Sequence, residues 1–205
     1  MSQNLEIEAK ILLTKPTYQK ILSSYPVKAS FNQQNFYFET PDSQIRRHGC
    51  SLRIRLYSDR AEATLKVPDE NPQQAVFHEA LEINSLLDLA VAQKLLKQAK
   101  AGQAINFPGP VGDYLKQHFA NFYEQLRLAT WSKTLRKLLS GPHDTELTLD
   151  QTQYPDSFLD YELEIENNSP EQIKQVQTEL KQKFGFTINK ATTNQSKIGR
   201  AFIHR

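Results

Sequence analysis

The sequence has few cysteines, little net charge and no long hydrophobic run, and each of these scarcities excludes a class of protein or site. A single cysteine, Cys50, excludes an intrachain disulfide and a zinc site built from several cysteines, and it is typical of a reducing compartment. The 25 basic and 23 acidic residues leave a net charge of only +2, which gives no general field for nucleic acid or an anionic membrane. We therefore expect selectivity for an anion to come from local clusters of charge.

Long hydrophobic runs are also missing. No apolar run approaches the length of a membrane span, and charged residues within the first ten positions interrupt any signal-peptide core. We expect a cytoplasmic protein without membrane contact. Apolar residues make up 39% of the 205 residues, enough for a sizeable core. Because no repeat or break in composition marks a second domain, the sequence predicts a single domain over residues 1–205.

The most informative segment alternates polar and apolar residues near the N-terminus. Residues 5–12 read Leu-Glu-Ile-Glu-Ala-Lys-Ile-Leu, which is typical of a half-buried β-strand. Side chains two positions apart in a strand point the same way, so Glu6, Glu8 and Lys10 share one face. Taken alone, this is most simply a strand with a solvated outer face. Charged faces further along the chain change that interpretation.

Other segments alternate in the same way. Residues 51–57 place Arg53 and Arg55 on one face, and the strand at 62–66 follows after a turn, which predicts a hairpin. Further strands are predicted at residues 35–39, 76–83, 146–150 and 160–166. The segment 131–138 fits a strand or a helix. Helices are predicted from a cap at Asn84 or Ser85 to Ala101, over residues 111–125, and from Ser169 to Gly185.

Many strands and few helices favour an α+β fold in which helices pack outside an antiparallel sheet. The polar strand faces could look at solvent. Alternatively, the sheet could close into a barrel with the charged residues inside. A dry lumen holding so many unpaired charges would be prohibitively unfavourable. The barrel therefore requires a wet lumen that is occupied by a highly charged ligand together with a metal.

The charged residues follow the order of motifs in a known family. Glu6-Ile7-Glu8-Ala9-Lys10 fits an ExExK signature. The motifs that follow it in order are Tyr37 to Thr40, Leu52 to Arg55, Leu65-Lys66, Glu79, Leu149-Asp150, Glu162 to Glu164 and Lys197 to Arg200. As an ordered set over nearly the whole chain, they resemble the CYTH domain, or triphosphate tunnel metalloenzyme, family. The resemblance implies a closed eight-stranded antiparallel barrel, with a charged lumen and helices outside, that binds a triphosphate together with Mg²⁺ or Mn²⁺.

The resemblance also implies roles for the charged residues. The implied substrate-binding residues are Lys10, Arg53, Arg55, Lys66, Lys133, Lys197 and Arg200. The implied metal ligands are Glu6, Glu8, Glu79, Asp150, Glu162 and Glu164. The implied catalytic set is Glu6, Glu8, Lys10, Arg53, Arg55 and Asp150. This division is chemically consistent, because arginine and lysine bind phosphate oxygens whereas carboxylates bind hard cations.

Two positions depart from the family pattern. The family usually carries an arginine on the strand at 131–138, and here we take Lys133 as the basic group, with Arg136 as the alternative and Ser132 as a neutral occupant. On the strand at 76–83 Glu79 fits, whereas Leu81 stands where some members have a second glutamate.

The function implied is a metal-dependent triphosphatase that acts on inorganic triphosphate or on a nucleotide or thiamine triphosphate. A class IV-type adenylate cyclase that makes cyclic AMP is the first alternative, and a non-catalytic module that binds polyphosphate or nucleotides is the second. We expect a small-molecule triphosphate as partner, no nucleic acid, and a monomer or homodimer.

Overall fold

Alternation of apolar and polar side chains builds the antiparallel strands of this protein. The computed structural model describes residues 3–68, 78–189, 192–193 and 196–205. Within these residues the strands are β1 (Gln3–Leu13), β2 (Val27–Glu39), β3 (Ser51–Leu56), β4 (Ala61–Pro68), β5 (His78–Leu87), β6 (Arg127–Ser140), β7 (Glu146–Gln153) and β8 (Leu159–Glu166). The α-helices are α1 (Lys15–Ser24), α2 (Gln44–Arg47), α3 (Leu89–Lys100), α4 (Gly109–His118), α5 (Pro170–Phe184) and α6 (Lys197–Ile203). The predicted α+β class is confirmed.

The strands curl into a tunnel-like wall. Their order is β1-β5-β4-β3-β2-β6-β7-β8, and β1 pairs with both β5 and β8, so the order of pairing is that of a closed barrel. The seam is staggered, because β5 pairs with residues 3–8 of β1 and β8 pairs with residues 8–13. Among the described residues, Glu8 alone has a partner on both sides. The predicted eight-stranded, tunnel-like antiparallel sheet is confirmed, and the two halves of β1 pair with different neighbours.

Two apolar cores lie on the outer face of this wall. Ile54 of β3 belongs to the same buried cluster as Leu96 of α3 and Leu115 of α4. Ile11 of β1 belongs to a second buried cluster with Leu180 of α5. Burial of one such side chain contributes about 1.5–3 kcal/mol. The apolar strand faces thus point outward beneath helices, and the polar faces are left to line the tunnel.

Local signals fix most helix ends. The Ser169 side chain accepts a hydrogen bond from the Gln172 amide, and Gly185 ends α5 in the left-handed region at φ 69°, as predicted. The start predicted for α3 at Asn84 or Ser85 is wrong. β5 continues to Leu87, and the Asp88 carboxylate instead accepts hydrogen bonds from the first amides of the helix.

The structure also corrects the helix predicted at 111–125 and decides the ambiguous segment 131–138. The predicted helix at 111–125 is shorter, since α4 ends at His118 and a separate 3₁₀ turn covers Tyr123–Gln125. Residues 131–138 are a strand, because β6 pairs with β2 along one edge and with β7 along the other. No helix among the described residues is both long and apolar enough to cross a membrane.

The expectation that the helices lie outside the sheet is wrong for α6. Ile198 and Ala201 of this helix pack with Tyr37 of β2 and Tyr154. The Thr130 hydroxyl of β6 donates a hydrogen bond of 2.7 Å to the Ala201 carbonyl. α6 therefore enters the tunnel, where it can supply charged groups to the lumen.

Candidate functional site

Strand alternation separates the outward apolar residues of β3 from its inward arginines. Leu52 and Ile54 are fully buried in the outer core, and Arg53 and Arg55 consequently face the lumen. A cavity of about 180 Å³ lies there. Its charged lining residues are Glu8, Lys10, Arg53, Arg55, Glu62, Lys66, Glu82, Arg136, Glu164 and Lys197. The tunnel is thus lined by both signs of charge.

One group of charges, the Lys66 cluster, consists of Glu8, Lys10, Arg53, Lys66 and Glu82 and joins β1, β3, β4 and β5. Lys66 Nζ lies 2.7 Å from Glu82 Oε1 and 3.7 Å from Glu8 Oε1. Lys10 forms an ion pair with the same oxygen of Glu8, and Arg53 Nη2 lies 4.0 Å from Glu82. Among the described residues, three cations of this cluster therefore contact two carboxylates on one side of the lumen.

Arg55 lies deeper on the same strand and is held in place by its neighbours. Its Nε donates to Asn35 Oδ1 at 2.8 Å, and its Nη1 donates to Glu62 and to the Tyr57 hydroxyl at 3.2 Å each. Arg53 Nε, by contrast, is buried and has no hydrogen-bond partner within the described part of the chain. One arginine is thus preorganised by protein groups, and the other has a donor available for a ligand.

A second group, the Asp150 cluster, consists of the carboxylates Asp150, Glu162 and Glu164 with the basic groups around them. Arg136 Nη2 lies 2.7 Å from both Asp150 and Glu164. Lys197 Nζ lies 3.0 Å from Glu162 and 3.1 Å from Glu164, and it also contacts Asp150. These ion pairs connect β6, β7, β8 and α6 across the lumen.

Arg200 anchors the far side of this cluster. Its Nη2 donates to Glu162 at 2.5 Å, and its Nε lies 2.6 Å from Asp160 and 3.0 Å from the Tyr154 hydroxyl. Only 4% of Arg200 is exposed. This residue holds α6 in the tunnel wall.

Burial and neighbouring charge oppose each other at the carboxylates of the Asp150 cluster. Burial favours the neutral acid, but Lys197 and Arg136 outweigh it and lower the pKa of Asp150. Burial is likewise outweighed at Glu164, where Arg136, Lys197 and Lys10 hold the pKa well below its usual value. At Glu162 burial prevails and the pKa is raised. Glu162 is consequently the member of the cluster that most readily holds a proton.

The structure brings together most of the residues singled out from the sequence. Those that lie in the tunnel are Glu8, Lys10, Arg53, Arg55, Lys66, Asp150, Glu162, Glu164, Lys197 and Arg200. Glu8 belongs to the Lys66 cluster and lies apart from the three carboxylates around Asp150. The side chains of Glu6 and Glu79 lie outside the described residues.

The choice of Lys133 as the basic group of β6 is wrong with respect to the tunnel. Lys133 is exposed, and its ammonium lies 5.4 Å from the centre of the Trp131 ring. Arg136, the alternative, is the residue of β6 that reaches the Asp150 cluster. The reason is parity: residues three apart on a strand face opposite sides.

Sequence reasoning missed two acidic residues that line the lumen, Glu62 and Glu82. Both pair with tunnel arginines and lie in the lining of the cavity. A signal existed for Glu82, because it stands between Leu81 and Ile83, which pack toward the outer core. Strict alternation on β5 would therefore have assigned Glu82 to the tunnel.

The Asp150 cluster has the chemistry of a site for a hard divalent cation. One oxygen from each of Asp150, Glu162 and Glu164 can be chosen so that all three lie within 4.8 Å of one another. Oxygen ligands of this kind suit Mg²⁺ or Mn²⁺. Glu162 Oε1 is buried and lies 3.0 Å from Lys197 Nζ, but the described residues give it no hydrogen bond. The three carboxylates thus fit the cation that the sequence resemblance implies.

The tunnel cavity opens onto a second, wider space. This cavity of about 430 Å³ shares Glu8, Lys10 and Lys66 with the tunnel cavity. Its remaining lining is mostly apolar or small: Gly49, Cys50, Val67, Pro68, Ala80 and Gly199, together with Arg46. A group larger than phosphate has room beside the charged lumen.

Comparison with known sequences gives two similarities. The family model described as CYTH domain matches residues 4–193. Over 99 residues the chain is 30% identical to "Putative triphosphatase YjbK" of Bacillus subtilis (strain 168), and this alignment covers 47% of the chain and 52% of that protein. The match thus spans about half the length of this curated relative.

Solved structures extend the similarity to the whole fold. A crystal structure from Bacillus halodurans named "putative adenylate cyclase" is 30% identical, with a TM-score of 0.82, and the match covers 98% of this chain and 100% of that one. The "putative adenylyl cyclase HpAC1" of Hippeastrum, described as having a dominant triphosphatase activity, is 20% identical with a TM-score of 0.76 over 96% of this chain and 94% of that one. At 20% identity the second likeness shows the fold alone.

Proposed function

The chain belongs to the CYTH domain family, and from this premise we propose that it is a divalent-metal-dependent triphosphatase that removes the terminal phosphate of a triphosphate bound in the tunnel. The observation that carries the proposal is the juxtaposition around one lumen of the cations of the Lys66 cluster and the three carboxylates of the Asp150 cluster. A cluster of cations alone could bind any anion. The adjacent carboxylates favour a phosphate chain that shares a metal with the protein.

Binding of the substrate is assigned to the basic residues of β1, β3, β4 and β6. Arg53 and Arg55 are able to donate N–H bonds to phosphate oxygens, whereas Lys10 and Lys66 act as point charges. Burial disfavours the charge of Lys10, but Glu8, Glu164 and Glu162 together raise its pKa, so it stays cationic at neutral pH. The phosphates then replace carboxylates as partners of these cations.

Catalysis is assigned to the opposite wall. Asp150, Glu162 and Glu164 would hold the cation, which when bound supplies neutralisation of charge on the phosphates. Hydrolysis breaks the bond between the terminal phosphorus and its bridging oxygen and forms a bond from that phosphorus to a water oxygen. The water proton passes to a carboxylate near the cation. Arg136 stabilises the negative charge that develops.

A phosphate-release assay with tripolyphosphate tests the proposal. Wild-type protein should release orthophosphate with Mg²⁺ or Mn²⁺, and a chelator should stop the release. Replacement of Arg55 by Ala should lower the rate by roughly 10²–10³-fold, because a preorganised charge donor is lost. The matched control is Lys94→Ala on the exposed face of α3. Folded protein that gives no release with either metal contradicts the proposal, and tight binding without turnover would identify a non-catalytic binding module.

A second candidate, adenylate cyclase, is favoured by the 430 Å³ cavity beside the lumen, which has room for a nucleoside. The name of the Bacillus halodurans relative points the same way. Incubation with ATP and Mn²⁺, followed by chromatography, separates the two activities. Cyclic AMP and pyrophosphate as main products would replace the triphosphatase proposal, whereas ADP and orthophosphate would support it.

A further inference from the structure

Lys197 occupies an unusual position among the lysines of the tunnel. Its ammonium contacts all three carboxylates of the Asp150 cluster, at 3.0 Å from Glu162 and 3.1 Å from Glu164 and also at Asp150. Among the described residues, Lys10 forms an ion pair with Glu8, and Lys66 forms ion pairs with Glu8 and Glu82. Lys197 therefore contacts the same three side chains that would hold a divalent cation.

These two uses of the carboxylates exclude each other. Arg136 and Arg200 also pair with these carboxylates, but Lys197 is the cation that contacts all three of them. A divalent cation coordinated by the three carboxylates would meet the like charge of Lys197 at short range. Both cannot lie among the same oxygens. Metal binding at this cluster thus requires the ammonium of Lys197 to move.

The attachment of α6 makes such a movement local. Arg200, one turn after Lys197, is held by Glu162, Asp160 and Tyr154, and the Ala201 carbonyl accepts a hydrogen bond from Thr130. The helix can therefore stay in place while the flexible side chain of Lys197 changes partners. The lining of the 180 Å³ cavity includes Lys197, so phosphate oxygens in that cavity would lie within reach of it.

We propose that Lys197 is a built-in competitor of the divalent cation: it neutralises Asp150, Glu162 and Glu164 when the tunnel is empty, and it exchanges these carboxylates for phosphate oxygens when metal and substrate enter. The inference rests on the metal site of the proposed function. Lys197 thus has a positioning role that sets the affinity for metal. When a site is free for only a fraction of the time, the apparent dissociation constant of its ligand rises in inverse proportion to that fraction.

The test compares Mn²⁺ affinity, measured by electron paramagnetic resonance without any phosphate, in wild type, Lys197→Gln and Lys94→Gln. The last variant removes one exposed lysine on α3 and controls for net charge. Lys197→Gln should bind Mn²⁺ on the order of tenfold more tightly than wild type, since the carboxylates are no longer blocked. Lys94→Gln should match wild type, and Lys197→Arg, which keeps the charge, should not show the gain.

Equal or weaker Mn²⁺ binding by Lys197→Gln overturns the inference, and so does the absence of Mn²⁺ binding by this variant. Wild-type phosphate release from tripolyphosphate would in that case still support the proposed function, so the two can fail separately. Should Lys197→Gln not fold, nuclear magnetic resonance of the side-chain nitrogens in the wild type replaces it. Added Mg²⁺ should then shift the Lys197 signal and leave the Lys94 signal in place, and an unchanged Lys197 signal at saturating Mg²⁺ rejects the exchange.

Discussion

Lys133 and Arg136 of β6 show how the function of a charged residue in this protein depends on the face it occupies. The two residues carry the same charge and stand three positions apart, so their side chains lie on opposite sides of the sheet. Lys133 lies over Trp131 at the surface, whereas Arg136 bridges Asp150 and Glu164. Parity, more than residue type, separates a surface cation from one in the tunnel.

We expect Arg136→Ala to lower triphosphatase activity by roughly 10²–10³-fold, as for other preorganised charge donors in active sites. Lys133→Ala should keep nearly all activity. Phosphate release from tripolyphosphate measures both, with circular dichroism to verify folding. Comparable losses in the two variants would contradict the placement of β6 residues argued above.

The decrease in the free energy of unfolding at acid pH provides a second test at the residue scale. The pKa values of Asp150 and Glu164 are lowered in the folded protein, where Lys197 and Arg136 outweigh the effect of burial. Such acids contribute stability that is complete above the ordinary value, 4.5 for Glu164, and lost as the pH falls through the folded value. We therefore expect the free energy of unfolding to decrease steeply below this pH.

Urea unfolding as a function of pH measures this slope. Glu164→Gln should reduce the slope by up to about one proton, because the unfolded state no longer binds a proton there. Asp113→Asn, an exposed position on α4, serves as control. If the free energy of unfolding depends on acid pH in the same way in wild type and in Glu164→Gln, the ion pairs of Glu164 do not contribute to folding.

At the scale of single elements, the strands carry two functions on two faces. Ile54 of β3 is fully buried under α3 and α4, between Arg53 and Arg55, which face the lumen. Ile54→Ala should lower the free energy of unfolding by about 2–5 kcal/mol, because a cavity remains beneath the helices. Leu86→Ala, at a position that is 85% exposed, should change it by less than about 0.5 kcal/mol. Chemical denaturation compares the two, and a harmless Ile54→Ala would contradict the outer core.

The start of α3 depends on one carboxylate. Asp88 Oδ1 accepts hydrogen bonds from the amides of Ala90 at 2.8 Å and Val91 at 3.2 Å. Asp88→Ala should cost about 0.5–2 kcal/mol of stability, whereas Asp88→Asn should cost little, since asparagine is a comparable cap. Thermal melts of the two variants decide, and equal losses would indicate that charge rather than capping matters at this position.

At the scale of the whole molecule, the tunnel is lined by a network of internal ion pairs in which carboxylates pair with the cations of the lumen. Lys66 bridges Glu8 and Glu82, and Lys197 contacts the Asp150 cluster from the other wall. A triphosphate with its metal would replace these contacts by stronger ones to a more highly charged partner. The ligand should therefore stabilise the entire wall.

Tripolyphosphate with Mg²⁺ at about 100 times its dissociation constant should stabilise the fold by about 2.7 kcal/mol. For a chain of this length we expect the melting temperature to rise by about 5–10 °C. Orthophosphate at the same concentration is the control, because it reaches fewer of the cations. Equal shifts with both anions would argue against a site shaped for a phosphate chain.

Alternation in the sequence determined the strand faces and the arrangement of charge. The pattern at Glu8 and Lys10, at Arg53 and Arg55, and at Glu162 and Glu164 identified residues that do meet in one tunnel, because a period of two encodes the side of a strand directly. The cap and stop signals of α5 were equally readable. Local sequence carries this information, since it depends only on nearest neighbours along the chain.

Only the tertiary structure decided which charges pair and what fills the lumen. The register between β6 and β7 sets Arg136 opposite Asp150, and the entry of α6 brings Lys197 to three carboxylates on other strands. Contacts between residues so distant in sequence follow from strand order and from the stagger at β1. No periodicity within a single segment encodes them, because they arise when the sheet curls and its ends meet.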